Sequence, residues 1–242
     1  MSHDRDSQAR NPGPSRSASM KLDDIPQPES PVTLAALEVA TAYCSPSLLN
    51  HSVRSYLWAA AYGVLHQVPF DVELLYVSAL LHDLGLVSPF DSHALPFEEA
   101  SGHVAWVFGA GAGWPSTRCE RAAGIIVRHM RDDVDPTVDA EGHLLQIATG
   151  LDISGRGLEM WPAELRLEVL EQVPRLALGA EFLRCFEEQA HRKPDSSAAA
   201  AVRSGIADRI MTNPLDRAQN EPVPPVGRSK PERSGQTHSR PH

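Results

Sequence analysis

The chain has 242 residues, 42% of them apolar, enough to build one sizeable hydrophobic core. Its net charge is −9, and Pro31 to Lys193 holds 21 acidic against 11 basic residues, the opposite of the basic stripe that a nucleic-acid-binding surface needs. No apolar run approaches the roughly 18–20 residues that cross a bilayer, and the first residues lack the apolar core of a secretion signal. The three cysteines, Cys44, Cys119 and Cys185, form no C-x-x-C pair, so neither a disulfide framework nor a thiolate metal site is expected. The chain reads as cytoplasmic, with a small-molecule partner rather than a nucleic acid polymer or a membrane. Its oligomeric state is not legible.

Residues 1–30 are rich in Ser, Pro, Arg and Asp and read as a disordered arm. Helical patterning begins at Pro31, with apolar residues at 32, 36, 39 and 43 on one stripe. Ser45-Pro46 supplies an N-cap and first turn for a longer helix over 46–66. Pro69-Phe70-Asp71 opens a third, whose run LLYVSALL suits a buried core helix ending at Gly85. Further helices are predicted over 96–109, 116–130, 138–154, 161–172, 175–192 and 195–212. Period-2 alternation is scarce, so the fold class is all-α. From Asn213 the composition matches the first thirty residues, which predicts one domain over 31–212 and a disordered tail over 213–242.

Three segments carry ionisable groups inside apolar helices: NHSVRSYLWA at 50–59, LLHDLG at 80–85 and LLQIATGLDISG at 144–155. A buried ionisable group is costly unless it is paired or bound to a metal. His82-Asp83 ends an apolar helix, and the adjacent imidazole and carboxylate can converge on one ion. His51 and Asp152 would complete the set from two other helices. Two imidazoles and two carboxylates suit one divalent ion, Zn²⁺ first, with Fe²⁺, Mn²⁺ or Co²⁺ as alternatives. Arg54 falls three residues after His51 on the same helical face, where it would orient a substrate or clamp a ligand. His129 and His103 are the two candidate proton shuttles. Glu98 and Glu99 read as mostly solvated, with one of the two able to reach waters around the ion, Thr149 as a brace for Asp152 or an ordinary packing residue, and Trp58, Trp106 and Trp114 as core or pocket wall.

The order H…HD…D, each on a helix, resembles the HD superfamily of metal-dependent hydrolases. The segments SPSLLNHSVRSYLWA, ALLHDLG, FEEASG, AAGIIVRHM and LLQIATGLDISG, spread over 45–155, are most similar to its cyanamide hydratase-like branch. The resemblance implies an HD-domain helical bundle, the ligand set His51, His82, Asp83 and Asp152, and His129 lining the pocket beside the ion. Met130 departs from that branch, which has an acidic or amide residue there, and the Cys-His-Thr-Thr-His stretch of the fungal enzymes has no counterpart. Leu86 and Val87 replace the acidic pair of alarmone hydrolases. The lysine and the Gly-Tyr-Pro segment of cyclic-dinucleotide phosphodiesterases are also missing. The implied chemistry is metal-assisted addition of water, to a nitrile-type carbon or alternatively to the phosphorus of a small phosphate ester. A non-catalytic metal-binding HD module is the third reading.

Overall fold

The computed structural model describes residues 20–216, in which every regular element is a helix. Ten α-helices run in order: α1 Pro31–Tyr43, α2 Pro46–Leu65, α3 Val72–Leu81, α4 Phe97–Gly111, α5 Ser116–Arg128, α6 Ala140–Ser154, α7 Ala163–Gln172, α8 Leu178–Arg192, α9 Ser197–Arg203 and α10 Ile206–Met211. None is long and apolar enough to cross a membrane.

The starts of several helices are written locally. Ser30, Ser45, Asp71 and Asp139 each accept a hydrogen bond from a backbone N–H three residues on, which satisfies one orphan donor of α1, α2, α3 and α6. Helix α6 ends on Gly155, whose φ of +70° is the left-handed conformation that glycine adopts without strain.

Helix α2 is the central element. Tyr56, Trp58, Ala59, Ala60 and Ala61 are all fully buried, as expected of a helix surrounded by others rather than lying on a surface. It packs on α3 and α6, while α4 and α5 form a tightly packed pair against α3. A second apolar cluster joins Leu48 and Phe97 to Leu178, Phe182, Phe186 and Ile210, so α8 and α10 close over one end of α2.

Three boundaries differ from the sequence reading. The helix expected to reach Gly85 stops at Leu81, and a short 3-10 turn, Leu84–Leu86, follows His82 and Asp83. Gly85 therefore does not cap a helix. It allows a close approach of backbones: a Cβ there would lie 2.1 Å from the Phe97 carbonyl oxygen, and its N–H donates to Ser101 Oγ at 2.8 Å. The helix expected over 195–212 is two helices, broken at Gly205, whose φ is +75°. The domain is also longer at both ends than 31–212. Met20 and Ile25 are buried, Tyr56 donates a hydrogen bond to the Pro26 carbonyl, and the Leu22 N–H donates to Glu168 at 2.9 Å. Asn213 and Leu215 are buried at the other end. These short segments bury single anchor residues, which composition averaged over thirty residues conceals. The remainder of the two predicted disordered segments, 1–19 and 217–242, lies outside the described residues.

Candidate metal centre

Helix α2 presents His51, and the break after α3 turns His82 and Asp83 toward it. All three are buried, and their donor atoms lie within 4.8 Å of one another. His51 Nε2 is 3.2 Å from His82 Nε2, and Asp83 Oδ2 is 3.3 Å from the first and 3.2 Å from the second. His129, the residue that ends α5, adds a fourth group: its Nε2 is 4.0 Å from Asp83 Oδ1, and its ring meets His82 edge to face at 4.9 Å.

The protons of these imidazoles are assigned by their outward partners. His82 Nδ1 lies 2.7 Å from the Ala79 carbonyl oxygen, and His129 Nδ1 bonds to the Ile126 carbonyl. A carbonyl only accepts, so both Nδ1 atoms carry hydrogen. His51 Nδ1 is 2.7 Å from Asp152 Oδ2 and donates to that carboxylate. With each ring neutral, three Nε2 atoms point inward as acceptors, beside a carboxylate whose two oxygens are buried and have no hydrogen-bond partner. Such a group of acceptors without a donor repels itself unless a cation stands among them. Ligands about 2.1 Å from one ion sit about 3.0–3.4 Å apart in tetrahedral or octahedral geometry. The observed separations of 3.2–3.3 Å fit, and the mixed imidazole and carboxylate donors suit a divalent ion of borderline softness.

Asp152, expected as the fourth ligand, faces the other side of His51. Arg54 grips it in a two-pronged ion pair, Nε to Oδ1 and Nη2 to Oδ2, both 2.8 Å, and Trp58 Nε1 donates to Oδ1 at 3.0 Å. Its backbone carbonyl accepts from Asn213 at 2.9 Å and from Arg175. With His51 on Oδ2, both carboxylate oxygens are committed, and Asp152 is not among the three residues whose donor atoms cluster. Burial on its own would raise the Asp152 pKa, but the Arg54 guanidinium and the His51 hydrogen bond hold it well below the ordinary range. Burial likewise disfavours a charged His51, yet Asp152 and Asp83 outweigh it and push its pKa up. His129 is driven down to about 3, by burial first and by His82 next, and stays neutral.

Arg54 is fully buried, and its Nη1 donates to the Val173 and Pro174 carbonyls at 3.1 and 3.0 Å. It serves Asp152 and does not reach the cavity. His103 is exposed on α4 and does not line the site. Thr149 donates to the Gln146 carbonyl at 3.2 Å and faces the cavity rather than bracing Asp152. Of the acidic pair, Glu99 is exposed, but Glu98 is buried and its pKa is raised, first by that burial. Sequence reasoning missed Arg175 and Asn213, which reach Asp152 from distant segments with no motif to announce them. Trp58 is a core residue, one of the two readings the sequence offers, and its indole N–H is also part of the carboxylate clamp.

The cluster forms the floor of a cavity of about 760 Å³, walled by Ile153, Phe182, Phe186 and Ile206, with His51, His82, Asp83 and His129 at its inner surface. Comparison with known proteins agrees with this arrangement. Residues 48–160 match the HD domain family. Two yeast proteins, cyanamide hydratase DDI2 and cyanamide hydratase DDI3 of Saccharomyces cerevisiae, are each 28% identical over 176 residues, covering 70% of this chain and 77% of theirs. The buried His-Asp cluster thus lies inside the segment that matches the HD domain family.

Proposed function

We propose that this protein is a metal-dependent enzyme that adds water to a small molecule, acting on a nitrile-type carbon as the names of its yeast relatives indicate for those proteins. The observation that carries the reading is the Asp83 carboxylate, buried, without a hydrogen-bond partner, and flanked by two inward-facing Nε2 atoms at the floor of a large cavity. His51, His82 and Asp83 would hold one divalent ion, with His129 on the fourth side. Bound there, the ion supplies Lewis acidity, which brings the pKa of water toward neutrality and polarises the substrate.

The chain's own residues do the rest. Asp152, clamped by Arg54 and Trp58, fixes the ring orientation of His51 and keeps its proton on Nδ1, so that Nε2 stays available. His129, with its Nδ1 proton committed to Ile126, presents a neutral Nε2 into the cavity, where it accepts a hydrogen bond from the attacking water and orients it, the water's proton passing to the product nitrogen. Phe182 and Phe186 limit the water that reaches the floor. Hydrolysis of a small phosphate ester is the second reading, favoured by Arg131 and Arg156, which line the cavity.

The test is turnover by metal-analysed protein of cyanamide, other small nitriles and p-nitrophenyl phosphate. Nitrile hydration that disappears in His82→Ala, in Asp83→Asn and after chelation is expected. Phosphatase activity with silent nitriles would establish the second reading. Loaded protein inert toward all of them would overturn an enzymatic role and leave a metal-binding module.

A further inference from the structure

The cavity is far larger than a three-heavy-atom molecule such as cyanamide requires. Pockets of roughly 300–1,000 Å³ enclose ligands of drug size, and this one measures about 760 Å³. It is also graded along its depth. His51, His82 and Asp83 at the floor are at most 1% exposed, whereas Arg131, Arg156 and Arg209, which also line it, are exposed at its mouth. Between the two lies the apolar wall of Phe182, Phe186 and Ile206.

Three guanidinium groups gather on the lining of this one cavity. The chain carries 31 acidic and 22 basic residues, and Arg54, Arg118, Arg121, Arg128, Arg175 and Arg192 each form an ion pair with a carboxylate. Arg131, Arg156 and Arg209 form none among the described residues, nor do Arg166, Arg184 and Arg203, but only the first three line the cavity. Arg209 donates only to Ser204, through the carbonyl at 3.0 Å and the hydroxyl at 3.3 Å. Arg156 lies against α6 where Gly150 leaves space, since a Cβ at that position would come 2.8 Å from Arg156 Nη2. One carboxylate, Asp132, shares the rim, and the only other one on the cavity lining is Asp83 at the floor. Three guanidiniums against one rim carboxylate make the mouth locally positive on an acidic protein, which attracts and orients an anion.

We propose that the substrate carries an anionic group, a carboxylate or a phosphate, which Arg131 and Arg156 hold at the cavity mouth with help from Arg209. Its apolar middle then lies along Phe182 and Phe186, and its reacting end reaches the His51–His82–Asp83 floor. This inference rests on the reading of that floor as the reaction centre, but its test does not depend on turnover. Inorganic phosphate and succinate are titrated calorimetrically, at low salt, into chelator-treated wild type and into Asp83→Asn, both lacking the ion. Binding of one of them to both proteins, weakened at least tenfold in Arg131→Gln/Arg156→Gln and less in Arg209→Gln, is expected, as is weakening by added salt. Whether phosphate or succinate binds better identifies the group. These arginines are exposed, so the variants keep their fold, which circular dichroism checks. Absence of binding by either anion, binding unchanged in the double variant, or binding only when the ion is present would each overturn the proposal. Retained anion binding in a protein that takes up no metal would instead sink the metal-enzyme reading alone.

Discussion

Asp152 shows how much a single side chain's direction decides. As a carboxylate on an apolar helix it reads as a ligand, yet its oxygens are taken by Arg54, Trp58 and His51. A buttress and a ligand respond differently to Asp152→Asn. A buttress keeps the ion's own donors, so metal affinity, measured by competition with a chelator, falls about 10–100-fold. Loss of detectable binding, as expected for Asp83→Asn, would make Asp152 a ligand after all. The same substitution leaves the fully buried Arg54 without its counter-charge, and urea denaturation is expected to show a loss of about 3 kcal/mol or more. Sequence legibility at this scale was mixed for a physical reason. Residue type reports that a buried ionisable group needs a partner, but which partner depends on side-chain direction, and that is fixed by neighbours from α2, the Val173–Arg175 segment and Asn213.

At the level of elements, the break between α3 and α4 shapes the centre. The close approach of Gly85 to Phe97 turns His82 and Asp83 toward His51. Gly85→Ala would force its Cβ against backbone that cannot yield, so a loss of about 2–3 kcal/mol in denaturant stability is expected together with weaker metal retention. A stable variant with full metal content would show that the turn tolerates the displacement. The start of α6 carries a pH dependence. Asp139 caps the helix and pairs with Arg121 and Arg128, each at 2.6–2.7 Å. Burial opposes its ionisation, but the two arginines and the Gly142 N–H prevail and lower its pKa. A carboxylate with a lowered folded-state pKa contributes stability that is present above the unfolded value of about 3.9 and is lost as pH falls through the folded one. Asp139→Asn keeps the cap and loses the ion pairs. Because both arginines are about a third exposed, the expected deficit at pH 7 is at most about 1 kcal/mol. That deficit shrinks as pH falls below the unfolded value and through the lowered folded one, and a deficit that stays unchanged in acid would refute the linkage. Capping residues are readable in the sequence because they act within three residues. The interruption at Leu81 is not, because it depends on contact with α4.

For the whole molecule, the extent of the domain is the main difference from the sequence reading. Residues 20–30 and 213–216 resemble the polar segments around them in composition, yet Ile25 and Leu215 are 2% and 1% exposed. Ile25→Ala and Leu215→Ala are each expected to lower the unfolding free energy by about 2–4 kcal/mol. Changes within about 0.5 kcal/mol, the norm for surface positions, would return both segments to the status of solvated arms. Asn213 also ties the second segment to the Asp152 carbonyl, so the end of the domain bears on the centre itself.

The sequence by itself determined the all-α class, the approximate place of most of the helices and the Ser45 cap, and it named His51, His82 and Asp83, whose donor atoms lie close together. Each of these follows from local periodicity, from backbone groups that need partners within a few residues, or from the cost of burying charge. Only the tertiary structure decided that Asp152 stands behind His51, that His103 points away from the cluster, and that Glu98 is buried while Glu99 is exposed. It alone revealed the graded cavity with arginines at its mouth. These depend on which faces of distant helices meet, and periodicity identifies a buried face without saying what it is buried against.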